Sequence, residues 1–132
     1  MRREAVVDTN AIIYYVVENS PMHEEAETLL DSLDVWHMPT VVIHELVWFF
    51  KKAAPEEGVG VLRALLEYEK AVNHCEDAAT LKRAIGAGLT HYNDAVVILT
   101  AKKLGIPLVT FDARMAKKAK AHCVSVLRRL DV

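Results

Sequence analysis

The sequence has few of the features that mark secreted or membrane proteins. Its 132 residues include only two cysteines, Cys75 and Cys123, which form no C-x-x-C pair and therefore predict reduced thiols in a cytoplasmic protein. No apolar run reaches the roughly 18 residues that a membrane span requires. The N-terminus lacks the apolar stretch of a signal peptide. We therefore expect neither export nor insertion in a membrane.

Motifs of several common enzyme classes are also missing. There is no Walker lysine loop and no G-x-G-x-x-G, which argues against a nucleoside triphosphate or dinucleotide site. The segment HELVW (44–48) begins like the zinc motif H-E-x-x-H, but Trp48 stands where the second histidine belongs. A phosphorelay receiver would need its phosphoacceptor aspartate on a middle strand, whereas Glu45 falls within a predicted helix.

The net charge of −2 hides an uneven distribution along the chain. Residues 1–69 carry 13 acids and 5 bases, whereas residues 70–132 carry 11 bases and 5 acids. A basic surface in the second half is suited to an anionic polymer, and a solvated helix face is the alternative. The bases after residue 101 are Lys102, Lys103, Arg114, Lys117, Lys118, Lys120, Arg128 and Arg129.

Short β-branched segments alternate with longer amphipathic or apolar ones along the whole chain. The strands are predicted at 4–8, 35–38, 71–75, 106–112 and 123–127, and the helices at 10–18, 21–33, 40–53, 55–70, 77–87, 93–105 and 113–121. This alternation predicts an α/β sandwich around a mostly parallel sheet of four to five strands. Because no linker or internal repeat interrupts it, we expect residues 1–132 to form a single domain.

Two of the predicted strands lead directly into an aspartate. The first reads V-V-D and ends at Asp8, and a late one reads V-T-F-D and ends at Asp112. Ligands of open parallel sheets bind outside the carboxyl ends of the strands, at the point where the strand order reverses. We therefore expect both carboxylates in one crevice, although an aspartate at a strand end also commonly caps the next helix.

Two further acids lie in otherwise apolar helices. Glu45 lies within VVIHELVWFF, where an ionised carboxylate is costly to bury unless it is paired, and Lys52 is too far along the helix to pair with it readily. The alternative is that this edge of the helix faces water. Asp94 lies at the start of an apolar helix and is suited to capping it, but Asn93 can cap equally well and leave Asp94 facing the interior.

Together these four acids predict a site for a hard divalent cation. Carboxylates that share a pocket repel one another and do not all stay ionised without a cation. Mg²⁺ and similar ions take oxygen ligands, often one or two carboxylates plus a substrate phosphate. An ion held there activates water and stabilises the charge of an in-line displacement at phosphorus. Asp8 would then serve as a ligand.

Four segments in order resemble the motifs of a known family. VVDTN (6–10), HELVW (44–48), YNDAVVILTA (92–101) and LVTFD (108–112) are similar to those of the PIN domain family, in particular its VapC-like toxin ribonucleases from toxin–antitoxin pairs. The resemblance covers essentially the whole chain. It implies a three-layer α/β/α endoribonuclease that uses Mg²⁺ or Mn²⁺ and leaves 5′-phosphate and 3′-hydroxyl ends. It also implies a homodimer and an antitoxin protein that covers the site.

The resemblance also implies roles for individual residues. The residues that match the acidic quartet, as metal ligands and catalytic groups, are Asp8, Glu45, Asp94 and Asp112. Asn10 and Thr110 match supporting positions, where Asn10 can orient Asp8 and Thr110 can bond a neighbouring carboxylate; helix capping and an ordinary strand threonine are the alternatives. The pair Tyr92–Asn93 departs from the aromatic or aspartate that many members have just before the matching aspartate.

Three bases near the last acid are expected to contact RNA. Arg114, Lys117 and Lys118 would bind phosphates and so affect affinity more than sequence choice. The apolar helical segments 41–50 and 59–66 are larger than a chain of this size easily buries, which indicates an interface. Two alternatives remain open from sequence: a PIN module that binds RNA or an antitoxin without turnover, and a nuclease of RNA processing or DNA repair.

Overall fold

A five-stranded parallel sheet forms the centre of the molecule. The computed structural model describes residues 2–128, and the predicted base Arg129 lies outside this range. The strands are β1 (Glu4–Val7), β2 (Val35–Pro39), β3 (Ala71–His74), β4 (Leu108–Val109) and β5 (Val126–Leu127). Their order in the sheet is β3-β2-β1-β4-β5, and every neighbouring pair is parallel.

Within residues 2–128, seven helices cover the two faces of this sheet. They are α1 (Thr9–Val16), α2 (His23–Asp31), α3 (Thr40–Ala53), α4 (Pro55–Glu67), α5 (Ala78–Gly86), α6 (Tyr92–Leu104) and α7 (Ala113–Ala121), with a 3₁₀ turn at Leu89–His91. Because crossovers between parallel strands are right-handed, the reversal of strand order between β3 and β4 places α1–α4 on one face and α5–α7 on the other. The predicted three-layer α/β/α architecture is confirmed.

The helices within residues 2–128 are short. The longest helix, α3, has 14 residues, and none in this range combines the length and apolar character needed to cross a bilayer. Helix α3 contacts both α1 and α6, so it connects the two helical layers. The two cysteine side chains are exposed and free.

The last two strands are shorter than the sequence predicted. The pattern at 106–112 indicated a strand of seven residues, but β4 consists of Leu108 and Val109. The ladder stops there because the next groups are engaged elsewhere: the N–H of Phe111 donates to the side-chain oxygen of Asn10 at 2.9 Å. The predicted strand at 123–127 is likewise reduced to Val126 and Leu127.

The start of α6 also differs from the prediction. The helix begins at Tyr92, directly after the 3₁₀ turn, and His91 precedes it without a capping side-chain bond. Asn93 and Asp94 therefore lie inside the first turn rather than at the cap. The predicted alternative of a capping role for Asp94 is wrong, and its side chain is available for contacts with other elements.

The central position of β1 fixes the residue that follows it. Val6 and Val7 are fully buried between β2 and β4, and the N–H of Asp8 continues the ladder by donating to the carbonyl of Val109 at 2.9 Å. On the face of α1 and α2, the indole of Trp36 is fully buried and donates to the carbonyl of Leu30 at 2.9 Å. Asp8 therefore extends from one of the most rigidly packed segments of the fold.

Helices α3 and α4 approach each other closely at one glycine. A Cβ atom at Gly58 would lie 2.6 Å from the Cβ of Phe50, which is far inside van der Waals contact. Phe50 is itself buried in the core and its Cβ cannot move without its backbone. Only glycine therefore allows α4 to pack at this distance. Gly60, two residues along the same helix, has no atom within 4 Å of its Cβ position.

These two glycines give a matched test of the packing. Gly58→Ala should destabilise the protein by about 1–3 kcal/mol because it overpacks the contact with Phe50. Gly60→Ala should stabilise it by about 0.5–1 kcal/mol because alanine is the better helix former. Urea unfolding of both variants measures the difference. Equal effects from the two substitutions would contradict the close packing of α3 against α4.

Candidate active site

A buried carboxylate lies where the strand order reverses. Asp8 follows β1, next to the end of β4, and its residue is 7% exposed. One carboxylate oxygen, Oδ1, accepts the backbone N–H of Thr9 at 2.8 Å. The other, Oδ2, accepts the hydroxyl of Thr110 at 2.9 Å and the amide of Asn10 at 3.1 Å. The crevice predicted at the carboxyl edge of the sheet thus contains Asp8, held by three donors.

Asn10 joins the first turn of α1 to the end of β4. Its amide nitrogen lies 3.1 Å from the hydroxyl oxygen of Thr110 as well as from Asp8, and its amide oxygen accepts the N–H of Phe111. The contacts expected of Asn10 and Thr110 with the Asp8 carboxylate are therefore present. Because both chain segments are fixed by these bonds, the orientation of Asp8 is fixed with them.

The surroundings of Asp8 disfavour its charge. Burial is the largest effect, and it raises the pKa of the Asp8 carboxyl to about 6 from an ordinary value of 3.8. The negative charges of Glu45 and Asp94 also raise this pKa, whereas the hydrogen bonds from Thr110 and Thr9 lower it. The carboxylates of Glu45 and Asp94 are therefore each close enough to that of Asp8 to repel it electrostatically.

Glu45 reaches the site from α3 and is held by a residue that sequence reasoning missed. The hydroxyl of Thr9 donates to Oε1 of Glu45 at 2.6 Å, and the amide of Asn93 lies 3.5 Å from Oε2. Thr9 thus binds Asp8 through its backbone and Glu45 through its side chain. Its position directly after Asp8 was the one available signal, since the partner lies 36 positions away in sequence.

Asp94 is paired with a lysine of α7. The ammonium of Lys118 lies 2.9 Å from Oδ2 of Asp94 and 3.0 Å from Nδ1 of His91. Both members of the ion pair are partly exposed. The sequence suggested Lys118 as a contact for RNA, but here its charge neutralises Asp94. The acidic site therefore already contains one positive charge, the ammonium group of Lys118.

Asp112 is engaged at the start of α7. It is exposed, and its Oδ1 accepts the N–H groups of Arg114 at 2.8 Å and Met115 at 3.3 Å, which caps α7. Its own N–H donates to the hydroxyl of Thr110 at 3.2 Å. The structure thus brings Glu45 and Asp94 close to Asp8, and Thr110 connects Asp112 to Asp8 through hydrogen bonds. The capping alternative for Asp112 is realised.

The donor set fits a hard divalent cation in its chemistry. As the side chains stand, no three His, Cys, Asp or Glu groups within residues 2–128 are in position to share one ion. Mg²⁺ needs only one or two carboxylates, with water and substrate phosphate as its other ligands. Asp8, Glu45 and Asp94 offer such carboxylates. The repulsion that Glu45 and Asp94 exert on Asp8 and the ion pair of Asp94 with Lys118 both indicate a place that favours positive charge.

Comparison with known proteins identifies the family. Residues 5–121 match the sequence family described as PIN domain, which is most of the chain. The chain belongs to the PIN domain family. No curated protein matches the sequence of this PIN domain closely enough to count as a relative.

Solved structures share the fold of this PIN domain at low sequence identity. VapC20 of Mycobacterium tuberculosis, described as a toxin that cleaves the sarcin–ricin loop, has a TM-score of 0.77 at 17% identity, over 86% of this chain and 94% of its own. VapBC2 of Rickettsia felis has a TM-score of 0.68 at 17% sequence identity, and the match covers 97% of this chain and 99% of the VapBC2 chain. FitAcB of Neisseria gonorrhoeae has a TM-score of 0.64 at 22% sequence identity, and the match covers 93% of this chain and 96% of the FitAcB chain.

The raised pKa of Asp8 predicts how a neutral substitute changes stability without metal. A carboxyl whose pKa is raised on folding costs stability as pH increases from 3.8 to about 6, and the cost is complete above that range. In EDTA at about pH 8, Asp8→Asn should therefore stabilise the protein by up to about 3 kcal/mol, less the value of any hydrogen bond that the amide loses. Urea unfolding measures the change.

The pH dependence separates this effect from a simple change in packing. Below about pH 3.8 the wild-type carboxyl is neutral in both states, so the advantage of Asp8→Asn should disappear. Glu18→Gln, at an exposed carboxylate in the turn after α1, is the control and should change stability little at either pH. A loss of stability in Asp8→Asn that is equal at both pH values would contradict a charge penalty at Asp8.

Proposed function

We propose that this PIN domain is a metal-dependent endoribonuclease and the toxin of a type II toxin–antitoxin pair, with residues 1–132 acting as one nuclease domain in the cytoplasm. The observation that carries the proposal is the group Asp8, Glu45 and Asp94 at the reversal point of a PIN sheet. Acids arranged in this way disfavour their own ionisation and are stabilised by a divalent cation. Hydrolysis of a phosphodiester is a reaction that such an ion assists.

The carboxylates would hold one or two Mg²⁺ or Mn²⁺ ions. Asp8, Glu45 and Asp94 supply oxygen ligands, and Asp112 lies next to them across Thr110. When bound, a divalent ion supplies Lewis acidity, which activates water and offsets the charge that develops on the phosphate. Asp8 must be ionised to bind, so its pKa of about 6 makes cation binding weaker in acid solution.

The surrounding side chains orient and neutralise these ligands. Asn10 and Thr110 hold the Asp8 carboxylate, and Thr9 holds Glu45 through its hydroxyl. Partners of this kind fix the orientation of ligating carboxylates and strengthen metal binding. Lys118 balances the charge of Asp94, so a metal ion that binds Asp94 competes with the ammonium group of Lys118.

The relatives support RNA as substrate and an antitoxin as partner. VapC20, which shares the fold, is described as cleaving the sarcin–ricin loop, and this makes structured RNA the substrate class that we propose here. The resemblance to VapC-like toxins, with structural relatives named VapBC2 and FitAB, supports an antitoxin protein that covers the site. The bases of α7 supply charge of the sign that an RNA backbone requires.

Apolar side chains on two helices support a homodimer. Val47 and Trp48 of α3 are 46% and 61% exposed, and Val59 of α4 is 57% exposed. Large exposed apolar groups on a small protein mark interaction surfaces. Light scattering should therefore give the mass of two chains, and Trp48→Glu should shift it toward one. A monomeric wild type would contradict this part of the proposal.

Cleavage of RNA tests the function directly. Purified protein is incubated with a mixed, labelled RNA pool in Mg²⁺, in Mn²⁺ and in EDTA. We expect cleavage only with metal, and a loss of about 100-fold or more in Asp94→Asn, because a charge at the reacting centre is removed. Asp94→Asn should keep the fold, since it relieves repulsion among the acids. Asp31→Asn, on α2, is the matched control and should cleave like the wild type.

Each other outcome changes the interpretation. Cleavage that persists in EDTA or in Asp94→Asn would place the activity at another site or in a contaminant. No cleavage under any condition, with Mn²⁺ still bound, would contradict turnover and favour a module that binds RNA or an antitoxin.

A further inference from the structure

A cleft beside Asp112 is lined by cations from two elements. It has a volume of about 380 Å³ and lies between α7 and the end of β5. Lys117 and Lys120 line it from α7, and Arg128 lines it from the segment after β5. The small side chains of Ala113 and Ala116 also line the cleft, so the surface of α7 between the lysines is low enough to admit a ligand.

Within residues 2–128, no acid forms an ion pair with a cation of this cleft. In this range the ion pairs of lysine and arginine side chains join Lys103 to Asp77 and Lys118 to Asp94, and neither involves a cation of the cleft. Asp112 is the acid on its wall, and its Oδ1 is engaged by the N–H groups at the start of α7. Three like charges around one cleft repel one another, so an anion bound there is stabilised.

The cleft and the acidic site share a wall. Thr110 lines the cleft, and its hydroxyl donates to Asp8 at 2.9 Å. Asp112 also lines the cleft, and its N–H donates to the hydroxyl of the same Thr110 at 3.2 Å. On α7, Lys117 faces the cleft, whereas its neighbour Lys118 faces Asp94. An anionic chain that lies in the cleft is therefore separated from Asp8 by Thr110 alone among the residues named here.

We propose that this cleft binds backbone phosphates of the RNA strand, next to the phosphodiester that lies at Asp8. The inference rests on the proposed nuclease function and deepens it by assigning a path to the strand. Lysine and arginine contacts to phosphate position a strand without reading its bases, so the cleft serves every sequence alike. Of the three bases that the sequence suggested for RNA, Lys117 lines the cleft, whereas Lys118 pairs with Asp94 and Arg114 is not among the lining residues.

Binding of RNA without cleavage tests the cleft. The affinity of the full chain for a labelled single-stranded RNA of mixed sequence is measured by fluorescence anisotropy in EDTA, over a series of salt concentrations. The test variant is Lys117→Gln, Lys120→Gln and Arg128→Gln combined. The control variant combines Arg2→Gln, Arg3→Gln and Arg63→Gln, which removes the same charge from exposed positions before β1 and on α4.

The salt dependence gives the expected result. For binding to single-stranded RNA, the slope of log affinity against log salt decreases in magnitude by about 0.7 for each phosphate contact that is removed. The cleft variant should therefore bind about 10-fold or more weakly at low salt, with a slope smaller by about 2. The control variant should keep the wild-type slope. Equal losses in the two variants would overturn the cleft and show diffuse attraction by net charge.

Cleavage of the same RNA in Mg²⁺ and Mn²⁺ separates the cleft from the nuclease function. A wild type that cleaves, with a cleft variant of unchanged RNA affinity and KM, overturns the cleft and leaves the nuclease intact. A wild type that binds RNA through the cleft and does not cleave overturns the nuclease and leaves the cleft. Circular dichroism of the variants excludes unfolding as the cause of weaker binding.

Discussion

The burial of the Asp8 carboxylate is the constraint on which the site depends. The carboxylate lies at the end of the central strand, where β1 and β4 are neighbours and the strand order reverses. Keeping it there requires three donors, and these come from Thr9, Asn10 and Thr110. The same residues have further contacts: Asn10 accepts the N–H of Phe111, which ends β4 and connects α1 to it, and the hydroxyl of Thr9 positions Glu45. The local structure is therefore arranged around a charge that the fold alone would not favour.

Opposite charges meet along α7. On one side of this helix, Lys118 neutralises Asp94 within the acidic site. On another side, Lys117 and Lys120 line a cleft that leads to the same site. A nuclease has to attract a polyanion to carboxylates that repel it, and a helix with cations on both sides solves this problem. In the proposed nuclease, cation binding and RNA binding would be interdependent, because both would act on the charge around Asp94 and Asp112.

The sequence was sufficient for the architecture and for the position of Asp8, because both depend on local patterns. Alternating strands and helices predicted the sandwich, and V-V-D predicted Asp8 at the carboxyl edge. The sequence did not show that Thr9 binds Glu45 or that Lys118 pairs with Asp94. Contacts of Thr9 and Lys118 join distant positions, so no local pattern encodes them. The length of β4 was missed for the same reason, since Asn10 takes the N–H that would have extended it.

Calorimetric titration with Mn²⁺ tests most directly whether Asp8 is part of a cation site. Because the pKa of Asp8 is about 6, binding near that pH should release about half a proton per chain, and binding at about pH 8 should release almost none. Two buffers of different ionisation heat measure this number. We predict that Asp8→Asn abolishes both the binding and the proton release. Mn²⁺ binding of unchanged affinity and proton release in Asp8→Asn would contradict a metal site built around Asp8.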